Sequence, residues 1–488
     1  MAALVALTCA VSAGGGAAPS PAAAAARESA AALHTSIAHA MAAAGGESGA
    51  YVYDVSERRV LFEVDADVPR PPASVEKLYT STTALVKLGP SARLQTSVLG
   101  VGILSSSGVW QGNLYLHGGG DPTFGSTGFD DATYGPGNGA TVSQLALALR
   151  RTGVKRVDGR VLGDESLFDD LRGVPYSNYA PDPVDVEGIL SALAFDRGES
   201  GNQRGLHAPA EYAAQEFAAE LHHVGITVTG GYGVGVAPTG ATRLASVGSP
   251  PLSTLLRLMD APSDNYLAET LVKDIGAYAA GHGTTAAGAR VVRETMAQLG
   301  LRISVVDGSG LSRLDETTPH QVVELLTDLT ASPLGTVLRA ALARPGQTGT
   351  LSDRMAGTAA VGRCQAKTGT LDFVSNLAGW CTALGGHTIV FAMLMDGIDV
   401  YTAHVLQDAI TVAIAQFDDG TPAEPPPPPP PLLAGTGGSP TGNGGTGTTG
   451  PTGPTGATGA TTVGSVKGSP SGTPAPPVSG SATGGTAG

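Results

Sequence analysis

The sequence predicts an α+β fold in which one domain is interrupted by a β-rich insertion and followed by a disordered tail. Strand-type alternation gives way to an apolar helix near the N-terminus; short, turn-rich strands fill about 95 to 250; a mainly helical run then ends in antiparallel strands. The boundaries that follow are 1–27 for a signal or linker, 28–94 plus 251–418 for the discontinuous main domain, 95–250 for the insertion, and 419–488 for the tail.

Residues 49–65 alternate in the β manner, with Tyr51, Tyr53, Val60 and Phe62 on strands joined by a turn at Ser56-Glu57-Arg58. Pro69, Pro71 and Pro72 break the chain, and Ser74 opens a stretch whose apolar spacing from Leu78 to Leu88 is helical until Gly89 ends it. In the insertion, strands are expected at Thr96–Ile103, Gly108–His117, Arg156–Gly163 and Ile226–Val236, with helices at Val142–Arg151 and Ala213–His223. Helices then follow at Leu252–Met259, Asn265–Gly276, Ala286–Leu299, Pro319–Thr330 and Leu334–Ala343, and closing strands at Val361–Leu371, Val374–Ala383 and His387–Met395.

From about Thr421 the chain is Pro, Gly, Thr and Ser with too little apolar surface to offset its conformational entropy. Pro425–Pro431 should form a polyproline II rod of about 20 Å, at ~3.1 Å per residue. A cell-wall spacer is the role this composition suggests. Glu424 and Lys467 are the only charges from Thr421 onward, so the net charge of −14 sits on the folded body and argues against a nucleic-acid partner. Residues 1–13 form an apolar run ending in small residues, like the core of a secretory signal, although no Lys or Arg precedes Arg27. Export to the periplasmic space or cell wall is the expectation.

Cys364 and Cys381 flank a segment that reads as a β-hairpin centred between Asp372 and Phe373, which sets them opposite each other and within reach of a disulfide. Such a bond suits an oxidising compartment. The histidines show no metal-ligand spacing; His222-His223 is an adjacent pair that cannot chelate from one helix face. No metal and no cofactor are expected.

Three motifs carry the chemistry. Ser74-Val75-Glu76-Lys77 sets a lysine one helical turn from a serine, and a serine hydroxyl needs such a base to act as a nucleophile. Ser263-Asp264-Asn265 follows Pro262 and opens a helix; Ser263 would relay a proton to a leaving amine and Asn265 would donate to a substrate carbonyl. Ser200-Gly201-Asn202 fits the same pattern and reads as a decoy in a polar loop. Lys367-Thr368-Gly369-Thr370 falls on a strand, where Lys367 and Thr368 suit a terminal carboxylate and the strand's N–H groups can line an oxyanion site with that of Ser74. The Gly118–Pro122 run after His117 and the Asp307–Gly310 run read as structural turns, the second placed to shape the cleft.

In this order the motifs resemble those of the class C low-molecular-mass penicillin-binding proteins, which are D-alanyl-D-alanine carboxypeptidases and endopeptidases. Pro72-Ala73-Ser74, Gly118-Gly119-Gly120-Asp121-Pro122-Thr123, Asp307-Gly308-Ser309-Gly310-Leu311-Ser312-Arg313 and Gly349-Thr350-Leu351 extend the likeness, which runs from about Ala32 to Phe417. The resemblance implies a penicillin-binding transpeptidase-like (serine β-lactamase-like) domain, a peptidoglycan stem peptide as substrate and β-lactams as inhibitors. It implies Ser74 as the acylated nucleophile, Lys77 as its base, Ser263 and Asn265 as relay and anchor, and Lys367 with Thr368 at the carboxylate. The span from Ser74 to Ser263 is short for this family, which implies that one of its inserted domains is reduced or absent. The rival readings are a β-lactamase or esterase on the same scaffold and a catalytically silent wall-binding protein.

Overall fold

The computed structural model describes residues 29–198 and 207–434. The expected signal, the Ser200-Gly201-Asn202 decoy and the tail beyond 434 lie outside these residues. The described residues all belong to one compact unit.

Its centre is an antiparallel sheet in the spatial order Cys364–Leu371, Val374–Thr382, Thr388–Asp396, Gly49–Asp54, Arg59–Val64. The sheet is therefore closed by pairing the first strand of the chain with the last, Gly49 opposite Leu394 through Asp54 opposite Ile389. Both faces are covered. Ala50, Val52, Phe391 and Met393 pack on one side against Leu33, Ile37, Ile410 and Ile414; Tyr51, Ala378, Trp380 and Ala392 pack on the other against the helical layer. Burial on both faces explains why Thr388–Asp396 reads as a continuous apolar run and not as an alternation.

The helices Ala30–Ala44 and Val400–Gln416, which cover the first of those faces, were not expected from the sequence. The first is mostly alanine, and its only large apolar anchors are Leu33, Ile37 and Met41; these recur every fourth residue, and Ser29 caps the helix by accepting from Ala32 N. The second is capped by Asp399 and buries Ala403, Ile410 and Ile414 at comparable spacing. On the opposite face lie the helices Lys77–Lys87, Leu252–Asp260, Asn265–Ala280, Thr285–Gln298, Pro319–Thr330 and Pro333–Ala341. Trp380 is fully buried there, its indole N–H shared between Leu326 O and Thr330 Oγ1.

The segment between these halves forms a second, mixed sheet around Gln95–Leu104 and Val109–His117, backed by the helices Val142–Arg151 and Pro209–His223. Two of the expected strands are each divided. Arg156–Asp158 and Val161–Asp164 are separated at Gly159, where a Cβ would lie 2.1 Å from Gly112 O. Thr227–Val228 and Tyr232–Val234 are separated at Gly230-Gly231, where Gly231 takes φ +73°. Apart from the two sheets, the only strand pairing among the described residues is the short parallel pair Phe124–Gly125 with Ala140–Thr141 and isolated bridges. Residues 419–434, grouped with the tail in the sequence, pack on the body: Arg59 pairs with Asp419, His387 Nε2 meets Thr421 O at 3.1 Å, and Leu433 is fully buried with its carbonyl accepting from Ser332 Oγ. No helix among the described residues is long and apolar enough to cross a membrane.

Candidate active site

Ser74 sits in a 3-10 turn, Ala73–Glu76, that runs directly into the helix starting at Lys77. Ala73 takes φ +46°, a costly conformation for a residue with a Cβ, so the turn has to be held from outside. Asn376, on the strand next to that of Lys367, does this: its Nδ2 donates to Pro71 O at 2.9 Å and Pro72 O at 2.8 Å, while its Oδ1 accepts from Met395 N at 2.9 Å. Gly369 allows the Lys367 strand to reach the same turn, since a Cβ there would lie 2.6 Å from Pro72 O and 3.1 Å from Val75 N. Asn376 carries no motif signature, and only its place beside the edge strand could have singled it out.

The three motifs meet. Lys77 Nζ lies 2.8 Å from Ser74 Oγ, 2.7 Å from Asn265 Oδ1 and 2.9 Å from Ser309 O, and the side chain is wholly buried. Carbonyl oxygens can only accept. A neutral amine therefore gives its two N–H groups to Asn265 and Ser309 and turns its lone pair to the Ser74 hydroxyl. Burial favours that neutral form, bringing the Lys77 pKa down to about 8, while the carboxylates of Glu269, Asp307, Asp260 and Asp264 act in the other direction. Lys367 Nζ donates to Ser263 Oγ at 2.8 Å and to Thr368 O at 2.9 Å. It too is fully buried, and desolvation, with a further push from Lys77, holds its pKa well below the usual lysine range against the pull of Asp260.

The structure adds to two sequence expectations here. Asn265 Oδ1 accepts from Lys77 and its Nδ2 donates one N–H to Asp185 O at 2.7 Å, so the protein holds the amide at both ends while the second N–H is left to donate elsewhere. The Asp307–Gly310 turn is part of the site through the Ser309 carbonyl; Glu269 Oε1 fixes it by accepting from Gly308 N and Ser309 N, and Asp307 Oδ1 accepts from Gly310 N. A backbone carbonyl leaves no mark in a side-chain motif, which is why it was missed. Thr368 Oγ1 lies 2.8 Å from Thr350 Oγ1, bringing the Gly349-Thr350-Leu351 segment alongside the Lys367 strand. Thr370, next on the strand, is exposed.

Cys364 and Cys381 are opposite each other in the hairpin ladder and joined by a disulfide, with Cα atoms 4.1 Å apart. The Gly118–Pro122 loop lies against backbone: Cβ atoms on Gly118 and Gly119 would strike Ala192 O and Gln95 O, and Asp121 closes an Asx turn on Thr123 N. His117 pairs with Asp164 at 3.0 Å. No group of three or more His, Cys, Asp or Glu side chains able to hold a metal occurs among the described residues.

A part-exposed serine on a buried lysine, a second serine on a second lysine, and an edge strand alongside define a serine acyl-transfer hydrolase of the penicillin-binding type. The chain belongs to the D-Ala-D-Ala carboxypeptidase 3 (S13) family, whose profile matches residues 30–182 and 183–417. It is 30% identical to the D-alanyl-D-alanine carboxypeptidase of Actinomadura sp. (strain R39) over 76% of this chain and 82% of that one. It is 32% identical to carboxypeptidase DacB of Mycolicibacterium smegmatis over 70% and 75% of the two chains. Its fold resembles that of penicillin binding protein 4 from Haemophilus influenzae, with TM-score 0.67 and 19% identity, covering 78% of this chain and 99% of that one. The class read from the three motifs, a serine-type D-Ala-D-Ala carboxypeptidase of class C, is thus borne out.

Proposed function

We propose that the enzyme removes the terminal D-alanine from peptidoglycan stem peptides through an acyl-enzyme on Ser74. The Lys77 lone pair takes the hydroxyl proton as Ser74 Oγ attacks the penultimate carbonyl. N–H groups of Ser74 and of the Lys367 strand stabilise the resulting oxyanion. Ser263 relays to the leaving amine the proton that Lys77 took from Ser74, and Lys367 with Thr368 receives the terminal carboxylate by hydrogen bonds. Asn265 orients Lys77 and offers its second amide N–H to the substrate carbonyl. Water then hydrolyses the ester, and penicillins acylate the same oxygen.

The observation that carries this reading is the 2.8 Å separation of Lys77 Nζ from Ser74 Oγ, with both other Lys77 partners being obligate acceptors. Mass spectrometry of penicillin-treated protein should find one adduct, mapping to Ser74 and absent from Ser74→Ala, while a D-Ala-D-Ala pentapeptide should release D-alanine. An adduct retained in Ser74→Ala would end the proposal, and rapid turnover of a reporter cephalosporin would favour the β-lactamase reading. A cross-linked muropeptide dimer measures any endopeptidase action. Export is part of the same proposal, supported by the Cys364–Cys381 disulfide. The Pro- and Gly-rich composition beyond 434 suits a wall contact, which binding of full-length and shortened protein to isolated walls would test.

A further inference from the structure

The inserted segment sends one cation into the catalytic half of the molecule. Arg197 is 5% exposed, and its guanidinium pairs through Nη2 with Asp264 Oδ2. Its Nε donates to Tyr134 OH at 2.8 Å, and the plane lies 5.1 and 5.0 Å from the ring centroids of Tyr134 and Tyr266. Its Nη1 is 3.8 Å from Glu187, on the rim. Arg197 takes φ +55° and its carbonyl accepts from Ile189 N at 2.9 Å, so the backbone behind the side chain is also fixed.

Asp264 is the middle residue of the second motif. Its other oxygen accepts from Leu267 N at 2.8 Å and caps the helix Asn265–Ala280. Immediately before it, Ser263 is held at φ +69°, where a serine does not rest unless its neighbours impose it. Immediately after it, Asn265 reaches Lys77 while its amide nitrogen is held by Asp185 O, again from the inserted segment.

We propose that Arg197 is a positioning residue for acylation: by gripping Asp264 it sets Ser263 against Lys367 and Asn265 against Lys77, so the inserted lobe completes the catalytic cleft. This rests on the roles given to Ser263 and Asn265 above. A charged, bidentate-capable side chain stacked between two rings is suited to the task, because guanidinium geometry fixes direction as well as distance.

The test compares Arg197→Met, Arg197→Lys, Asp264→Asn and the Met/Asn double variant in the full-length protein, reading the penicillin acylation rate at Ser74, kcat and KM for the pentapeptide, and the thermal melt. Displacement of reacting groups by part of an ångström predicts acylation about 10- to 100-fold slower in Arg197→Met and Asp264→Asn, carried by kcat and not by KM. The double variant should be no slower than the worse single one, and Arg197→Lys should recover part of the loss. A folded Arg197→Met that acylates at the wild-type rate overturns the inference, as do losses that multiply in the double variant. If Arg197→Met does not fold, Tyr134→Phe removes only the hydroxyl that steadies Arg197; it should lower kcat by a smaller factor, and an unchanged kcat overturns the inference. Ser263→Ala is the separate control: wild-type acylation there would sink the underlying site reading instead.

Discussion

In the proposed mechanism Lys77 has to be unprotonated to accept the Ser74 proton, and with its pKa brought down to about 8 by burial, the fraction in that form grows as pH rises through this value. The acylation rate should therefore climb between about pH 6 and 9 and then level off, which stopped-flow measurement with a chromogenic β-lactam would show. Lys77→Ala should acylate about 100-fold more slowly or worse. Lys77→Arg should be no better, since a guanidinium keeps its proton; a recovery of rate in the arginine variant would mean that charge alone suffices. The motif residues were legible because each chemistry demands a particular side chain at a particular spacing. Asn265's turn toward Lys77 and the Ser309 carbonyl were not, because an acceptor's position depends on which backbone the tertiary fold delivers.

The Lys367 strand works as an element because it is tied at several points along its length. At Gly369 it touches the nucleophile turn, so Gly369→Ala should impair acylation much more than stability, measured as the rate against the denaturation midpoint. Asn376→Ala strips the bonds to Pro71 and Pro72 from the other side and should cost about 1–3 kcal/mol as well as activity, since buried carbonyls lose their donor. Near its other end the disulfide ties the strand to its neighbour, and Cys364→Ser with Cys381→Ser should cost about 2–4 kcal/mol in chemical denaturation. The central strands and helices were readable from period and turn residues. The flanking helices at Ala30–Ala44 and Val400–Gln416 were not, because alanine and threonine dilute the periodic signal until the covered sheet face supplies its meaning.

The molecule as a whole buries acids that it does not neutralise with nearby cations. Burial raises Asp121 to about 7, against the hydrogen bonds from Thr123; it raises Asp130 to about 8, helped by Asp196; and it carries Asp274 well above the carboxylate range. In the unfolded chain the same groups lose their protons near pH 4. Across roughly pH 4 to 8 the folded state then holds protons that the unfolded state has released, so their contribution to stability is present below about 4 and is lost as pH rises through the folded values. Urea midpoints should fall over that range, and Asp121→Asn should flatten the slope. A flat wild-type curve would mean that these carboxyls ionise in place.

The sheet that supports the nucleophile joins Asp54 to Ile389 and so cannot be complete until residues as late as Ile389 have left the ribosome. Ser74 and Lys77 are synthesised early, but the strand whose Asn376 steadies their turn is synthesised about three hundred residues later. Contacts so distant in sequence form slowly. A nascent chain arrested anywhere after Lys77 and before Cys364 therefore has its nucleophile and base but no hydrolytic competence, and activity should switch on abruptly with the final hairpin, with no gradual rise as the chain lengthens.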